Sequence, residues 1–174
     1  MRAGTSVLVF VSALMSSTAF ADPVQSSDDI VKFFANAADL GASRGICVGT
    51  EDECKSKAQK PVQTGLDMLV NFNLDSSELA PDARAKLAEF ARALQDNRLK
   101  AHAFVVEGYT DASGSTVYND GLSQRRAQAV TAFLLANGIE PTRLSAIGLG
   151  ETHPRSADPY DPANRRVEMR IKVQ

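Results

Sequence analysis

The stretch GYTDASGSTVYNDGLSQRRAQAV, residues 108–130, joins an apolar segment to a long amphipathic one. The run HAFVVEGYT (102–110) is apolar on both sides, which predicts a central β-strand. DASGS (111–115) predicts a loop, and helical spacing then continues to Asn137, with Gly138 just beyond it. A central strand, a tight loop and a long helix are therefore the predicted nucleus of the fold.

The predicted helix carries an arginine on its apolar side. Leu122, Val130, Phe133 and Leu134 define the buried stripe of this helix. At about 100° per residue, Arg126 lies within about 20° of the centre of that stripe. An unpaired buried charge costs several kcal/mol, so this guanidinium must be paired or must line a pocket.

A second arginine departs from the pattern in the last predicted strand, RRVEMRIKV (165–173). Arg165 shares its side with Val167 and Met169, not with the solvent-facing charges. Asp111, which directly follows the central strand, is a candidate neighbour for Arg126. A structural ion-pair network and a charged ligand pocket both remain open as interpretations.

Strand and helix patterns alternate through the rest of the C-terminal part of the chain. LDMLVNF (66–72) predicts a strand, APDARAKLAEFARALQDN (80–97) a helix, and LSAIGLG (144–150) a further strand before a proline-rich loop. The inner face of the first helix carries Leu87, Phe90, Ala91 and Leu94. The order βαβαββ predicts an α+β two-layer sandwich, a mixed sheet with two helices packed on one face.

The N-terminus has the pattern of an export signal. Residues 1–21 carry one charge, Arg2, then an apolar run, and end in Ala19-Phe20-Ala21. A cleavable signal peptide is predicted, and the alternative is an uncleaved membrane anchor. No cysteine follows the cleavage site, so a lipoprotein anchor is not indicated. The pattern therefore predicts an exported protein and favours a bacterial export route.

Residues 22–65 differ in composition from the C-terminal part of the chain. Residues 22–54 contain seven acidic and two basic residues, which gives a local net charge of −5. Ser27 precedes an amphipathic segment that predicts a short helix. Cys47 and Cys54 are predicted to form a disulfide in an oxidising compartment, with a redox-active pair as the alternative. A polar linker completes this region.

Composition and motifs exclude several functions. The 174 residues carry a net charge of −2, which argues against binding nucleic acid by bulk electrostatics. Two cysteines and two histidines leave little material for a metal site, and no cofactor is predicted. His102 and His153 lie in solvated contexts, and Gly148-Leu149-Gly150 lacks the third glycine of a dinucleotide site. The chain is not predicted to be an enzyme.

The C-terminal part of the chain contains four motifs that occur in the same order in a known protein family. They are Phe72-Asn73-Leu74-Asp75-Ser76, Gly108-Tyr109-Thr110-Asp111, the spaced set Asn119, Leu122, Ser123, Arg126 and Ala127, and Asn164-Arg165-Arg166-Val167-Glu168. Residues 66–174 thereby resemble the OmpA-like peptidoglycan-binding domain family, which includes the C-terminal domains of OmpA and MotB. Tyr109 replaces the histidine that is commoner in the family, within the family's range of variation.

The resemblance implies non-covalent binding of the diaminopimelate in the peptidoglycan stem peptide. Asp111 would take the ammonium of this residue and Arg126 its carboxylate. The remaining site residues implied are Thr110, Asn119, Phe72, Asn73, Leu122 as an apolar wall, and Arg165. The resulting role is cell-wall attachment in the periplasm, with possible association with the outer membrane. The alternative is an adaptor whose residues 22–60 recruit an envelope protein partner.

Overall fold

The computed structural model describes residues 26–42, 65–68 and 70–172. Its helices are α1 (Ser27–Ala42), α2 (Pro81–Leu94) and α3 (Thr116–Ala136), and its strands are β1 (Gly65–Asp67), β2 (Phe104–Gly108), β3 (Leu144–Gly148) and β4 (Val167–Ile171). Two short 3₁₀ helices, Pro141–Arg143 and Pro162–Asn164, precede β3 and β4. The predicted signal peptide, the polar linker and both cysteines lie outside the described residues, so those predictions remain predictions.

The four strands form one mixed sheet in the order β1-β4-β2-β3. The inner strand β2 pairs in parallel with β3, where Gly108 lies opposite Gly148, and antiparallel with β4. Strand β1 forms the other edge through antiparallel pairing with β4. The predicted α+β fold with a mixed sheet and a central second strand is confirmed.

The number of helices on the sheet differs from the prediction, because α1 joins α2 and α3. Ile30, Val31, Phe34 and Ala37 of α1 are all buried in the hydrophobic core. The Phe34 ring packs edge-on against Phe104 of β2, with ring centroids 5.1 Å apart. The amphipathic pattern of α1 is thus satisfied within the molecule, and the fold has three helices.

Two glycines determine how closely α3 approaches the sheet. A Cβ atom on Gly108 would lie 2.1 Å from the carbonyl oxygen of Ser123, and one on Gly148 would lie 2.4 Å from the amide of Gln124. Neither distance is possible for a real side chain, so glycine is required at both strand ends. The first half of α3 therefore lies directly against the carboxyl ends of the parallel strands, where ligands bind in many open sheets.

Helix α3 has well-defined ends. Ser115 caps its N-terminus by accepting a hydrogen bond from the amide of Tyr118 at 3.3 Å. The helix ends at Ala136, one residue before the predicted end, and Asn137 caps it; Gly138 follows at a φ of 88°. Within the described part of the chain, no helix combines the length and apolarity that crossing a bilayer requires.

Candidate functional site

A pocket of about 200 Å³ opens beyond the carboxyl end of β2, against the first half of α3. Its lining comprises Leu74, Asp75, Thr110, Asp111, Ser113, Gly114, Tyr118, Asn119, Leu122, Arg126 and Arg165. Six of the eight residues implied by the sequence, namely Thr110, Asp111, Asn119, Leu122, Arg126 and Arg165, thus share one pocket. Residues that follow β2, residues of α3 and a residue of the segment before β4 meet there.

Arg126 is the largest fully buried side chain among the described residues, with 0% of its surface exposed. Its guanidinium donates to three backbone carbonyls: from Nε to Ser76 at 2.9 Å, from Nη1 to Tyr109 at 3.2 Å, and from Nη2 to Asn73 at 3.2 Å. A guanidinium has five N–H groups, so two remain after these bonds. The carbonyls hold the cation in place without neutralising it.

Asp111 pairs with Arg165 and not with Arg126. Its Oδ2 accepts from Arg165 Nη1 at 2.7 Å, and its Oδ1 accepts from the backbone amide of Ser113 at 3.1 Å. The predicted neighbour of Arg126 therefore has another direct partner, although both arginines line the same pocket. Arg165 lies two residues before β4 and lines the site together with Asp111.

The charges of the pocket affect one another. Burial lowers the pKa of Arg126 to about 10, and the nearby positive charge of Arg165 adds to this effect. Burial opposes ionisation of Asp111, but hydrogen bonds from Arg165 and Ser113 outweigh it and hold the pKa of this carboxyl below its usual value. The pocket is lined by two guanidinium groups and by two carboxyl groups, those of Asp75 and Asp111, and its buried Arg126 has no carboxylate bonded to it.

Two polar atoms of the pocket residues are buried without a hydrogen-bond partner in the protein: the Thr110 hydroxyl oxygen and Arg165 Nε. Thr110 is only 3% exposed. Buried polar atoms are nearly always hydrogen-bonded, because leaving one unpaired costs about 1–3 kcal/mol. Together with the two remaining N–H groups of Arg126, these atoms are suited to an oxygen-rich, anionic ligand.

Asn119 and Ser123 of α3 connect the loops around the pocket. Asn119 Nδ2 donates to the carbonyl of Asp111 at 3.3 Å and to the carboxylate of Glu151. The Ser123 hydroxyl accepts from the amide of Gly150 at 2.9 Å, and the carbonyl of Gly150 accepts from the amide of Thr110. Both side chains position backbone around the site.

The remaining two predicted residues, Phe72 and Asn73, lie behind the pocket. The Arg126 guanidinium lies over the Phe72 ring, 5.0 Å from its centroid, and Asn73 supplies one of the three carbonyls. Sequence reasoning missed Leu74, Asp75, Ser113, Gly114 and Tyr118 as lining residues. The only sequence signal for them is their position within or next to the recognised motifs.

Tyr109 does not line the pocket. Its hydroxyl donates to Glu107 at 2.9 Å, and the Arg166 guanidinium lies over its ring, 3.9 Å from the centroid. Burial raises the pKa of Tyr109, and the hydrogen bond to Glu107 raises it further. Because side chains alternate along a strand, Tyr109 points away from Thr110 and the pocket. The position at which this chain departs from the commoner histidine therefore lies outside the pocket lining.

The fold and the site together define a class of domain. It has a mixed sheet and a charged pocket at the carboxyl end of its parallel strands. Residues 71–168 match the family model described as OmpA family, and this match covers more than half of the chain. The chain belongs to the OmpA family.

Curated relatives support this membership. Outer membrane protein A of Escherichia fergusonii is 39% identical over 103 residues, which are 59% of this chain and 42% of that protein. Outer membrane protein A of Salmonella typhi is 36% identical over 118 residues, covering 61% of this chain and 33% of that protein. The chain thus spans less than half the length of these relatives.

Solved structures share the fold. The peptidoglycan-associated lipoprotein from Burkholderia pseudomallei superposes with a TM-score of 0.54 at 29% identity, covering 59% of this chain and 88% of that one. A putative MotB like protein from Desulfovibrio vulgaris gives a TM-score of 0.51 at 31% identity, covering 63% and 72%. The likeness extends to the sheet and its helices.

Proposed function

We propose that this protein binds cell-wall peptidoglycan without covalent chemistry, and that the pocket holds the free amino acid end of diaminopimelate in the stem peptide. The observation that carries the proposal is the buried Arg126, fixed by three carbonyls and bonded to no carboxylate, in a pocket shared with Asp111. Membership of the OmpA family and similarity to a peptidoglycan-associated lipoprotein support it.

The proposed ligand matches the pocket group by group. An amino acid end carries an ammonium beside a carboxylate, and the pocket offers two carboxyl groups, those of Asp75 and Asp111, beside two guanidinium groups. The ligand carboxylate would accept from Arg126 and from the unpartnered Thr110 hydroxyl, while the ammonium would donate to Asp111. Leu122, which is 5% exposed, would contact the methylene chain.

The expected affinity for one stem peptide is modest. Charge-assisted hydrogen bonds contribute about 1.5–3 kcal/mol each, and association costs freedom of motion on both sides. Two or three such bonds correspond to roughly micromolar to millimolar binding. Retention on the wall would then come from the high local density of stem peptides in the polymer. The proposed location is the periplasm, and the proposed role is attachment or support of the envelope.

The second candidate function is that of an adaptor which recruits an envelope protein through residues 22–60. The structure restricts how this could work, because the apolar side of α1 is buried in the core. Asp28, Asp29, Lys32 and Asp39 remain exposed on its outer side, a mainly acidic surface. A partner of α1 would have to bind this surface. Charge reversal there tests the adaptor better than deletion, since deletion of α1 would expose Phe104.

Cosedimentation with purified sacculi tests the main proposal. We expect the protein to pellet with sacculi and to be released by free meso-diaminopimelate. Thr110→Val is the most informative variant, because the hydroxyl it removes has no partner in the protein. We expect about tenfold weaker binding of diaminopimelate with unchanged stability, the effect of one hydrogen bond to a charged group.

Thr131→Val is the matched control. The Thr131 hydroxyl is also buried and unpartnered, but it belongs to a part of α3 that does not line the pocket. This variant should bind like the unmodified protein. Equal binding by both valine variants would contradict the proposed contact with Thr110, and a protein that fails to pellet with sacculi would overturn the function.

A further inference from the structure

Two large apolar side chains are exposed at the pocket. Leu74 is 69% exposed and Tyr118 41% exposed, and both line the pocket opening beside charged residues. Val117, next to Tyr118 in the first turn of α3, is 83% exposed. Loop tips and first helical turns normally carry polar residues. Large apolar groups in such places, next to a ligand pocket, indicate a contact that the ligand completes.

The backbone holds Leu74 in its exposed position. Leu74 lies at the tip of a turn in which the amide of Ser76 donates to the carbonyl of Asn73 at 3.2 Å. Asp75 in this turn has a φ of 57°, a left-handed conformation that non-glycine residues adopt at a cost. Arg126 supports the turn, since it donates to the carbonyls of both Asn73 and Ser76. The residue proposed to bind the ligand also fixes the turn that presents Leu74.

Tyr118 is fixed from a different element. Ser115 caps the helix through the amide of Tyr118, and the Arg125 guanidinium lies over the Tyr118 ring, 5.8 Å from its centroid. The ring is therefore an ordered surface beside the pocket. Leu74 and Tyr118, which we call the apolar rim, come from two separate segments that both reach the same opening.

We propose that the apolar rim binds the part of the stem peptide that adjoins diaminopimelate, through the methyl group of the alanyl residue that follows it. The inference rests on the proposed function. The polar groups of the pocket suffice for one amino acid end, so the peptide-linked remainder of the ligand must leave through the opening. The residue that follows diaminopimelate in the stem peptide is alanine, and its methyl group is apolar and small enough for two side chains to cover.

Calorimetric titration of the purified protein with three probes tests this inference. The probes are free meso-diaminopimelate, a disaccharide tetrapeptide that ends in alanine, and the corresponding tripeptide. We expect the tetrapeptide to bind about fourfold more tightly than the tripeptide, the effect of burying one methyl-sized group. In the double variant Leu74→Ser, Tyr118→Ser the tetrapeptide and the tripeptide should bind with equal affinity.

Leu135→Ser is the matched control. Leu135 is also an exposed leucine, 36% exposed, but it lies at the far end of α3 and outside the pocket. This variant should retain the fourfold difference. Equal affinity of the unmodified protein for tetrapeptide and tripeptide would contradict the proposed role of the apolar rim. An equal loss of affinity for all three probes in the double variant would contradict it as well. Failure of free diaminopimelate to bind would instead refute the proposed function.

Discussion

Two arginines of this protein make the same kind of contact in different places. Arg126 donates to three backbone carbonyls in the pocket, and Arg143 donates to those of His102, Leu94 and Leu99 at 3.0, 2.9 and 2.8 Å. Each guanidinium also lies over a phenylalanine ring, at 5.0 Å for Arg126 and 5.8 Å for Arg143. Burial lowers the pKa of both.

Their surroundings differ. The carbonyls bound by Arg143 belong to the end of α2 and to the connection from α2 to β2, and Arg143 does not line the pocket that holds Arg126. Arg126 shares that pocket with Asp111, Arg165 and an unpartnered hydroxyl on Thr110. An arginine held by three carbonyls is therefore a structural device in both places, although Arg126 is fully buried and Arg143 is only partly buried. Such an arginine becomes a candidate binding group only where other unsatisfied polar groups meet it.

Lysine substitution should give the largest difference in ligand binding between the two arginine positions. Arg126→Lys keeps a charge but loses the planar guanidinium that binds a carboxylate through two bonds. We expect roughly 100-fold weaker binding of diaminopimelate, measured by titration. Arg143→Lys should bind normally, although each variant should lose about 1–3 kcal/mol of stability in chemical denaturation, because carbonyl partners are lost in both. Equal binding by the two variants would make Arg126 a structural residue only.

Asp111→Asn tests the carboxylate that pairs with Arg165. The substitution keeps the shape but removes the carboxylate that pairs with Arg165 and would pair with the ligand ammonium. We expect roughly 30-fold weaker binding of diaminopimelate, less than for Arg126→Lys, because an amide oxygen still accepts a hydrogen bond. Asp96→Asn is a suitable control, since Asp96 pairs with Arg98 at the surface and away from the pocket.

The sequence was sufficient to predict that Arg126 is buried but not which atoms hold it. Helical periodicity places a residue on one face of a helix, and Arg126 lies on the buried face as predicted. Its partners Asn73 and Ser76 belong to a turn about 50 residues earlier, and no local pattern encodes that approach. For the same reason the sequence suggested Asp111 as the neighbour of Arg126, whereas the structure pairs Asp111 with Arg165.

The same limit explains α1. Its amphipathic pattern predicts a helix, and Ile30, Phe34 and Ala37 of that helix are buried. A pattern of this kind shows that an apolar face must be covered, but it does not say what covers it. Here α2, β2 and β4 cover it, which makes α1 part of the packed core.

The pH dependence of stability tests the ion pair between Asp111 and Arg165, and its expected effect is smaller than the effects on binding above. The pKa of Asp111 is lowered in the folded state, so its contribution to stability is complete above its usual value of 3.8 and is lost as the pH falls through the lowered value. The stability of the unmodified protein relative to Asp111→Asn should therefore be constant between about pH 5 and 7 and shrink below about pH 4. Denaturation curves at each pH measure this difference. A constant difference down to about pH 2 would contradict the ion pair with Arg165.

Tyr109→Phe should have the smallest effect and marks the boundary of the site. The hydroxyl of Tyr109 bonds to Glu107 on the side of the sheet opposite the pocket, whereas its backbone carbonyl accepts from Arg126 on the pocket side. Loss of the hydroxyl should cost about 1 kcal/mol of stability, and binding of diaminopimelate should be unchanged because the carbonyl and the ring that Arg166 covers remain. A change in affinity of more than about threefold would show that the hydrogen bond to Glu107 helps to place the carbonyl for Arg126. The site would then extend through the sheet to its opposite side. Arg126 would differ from Arg143 also in its dependence on Tyr109 and Glu107, which lie on that side.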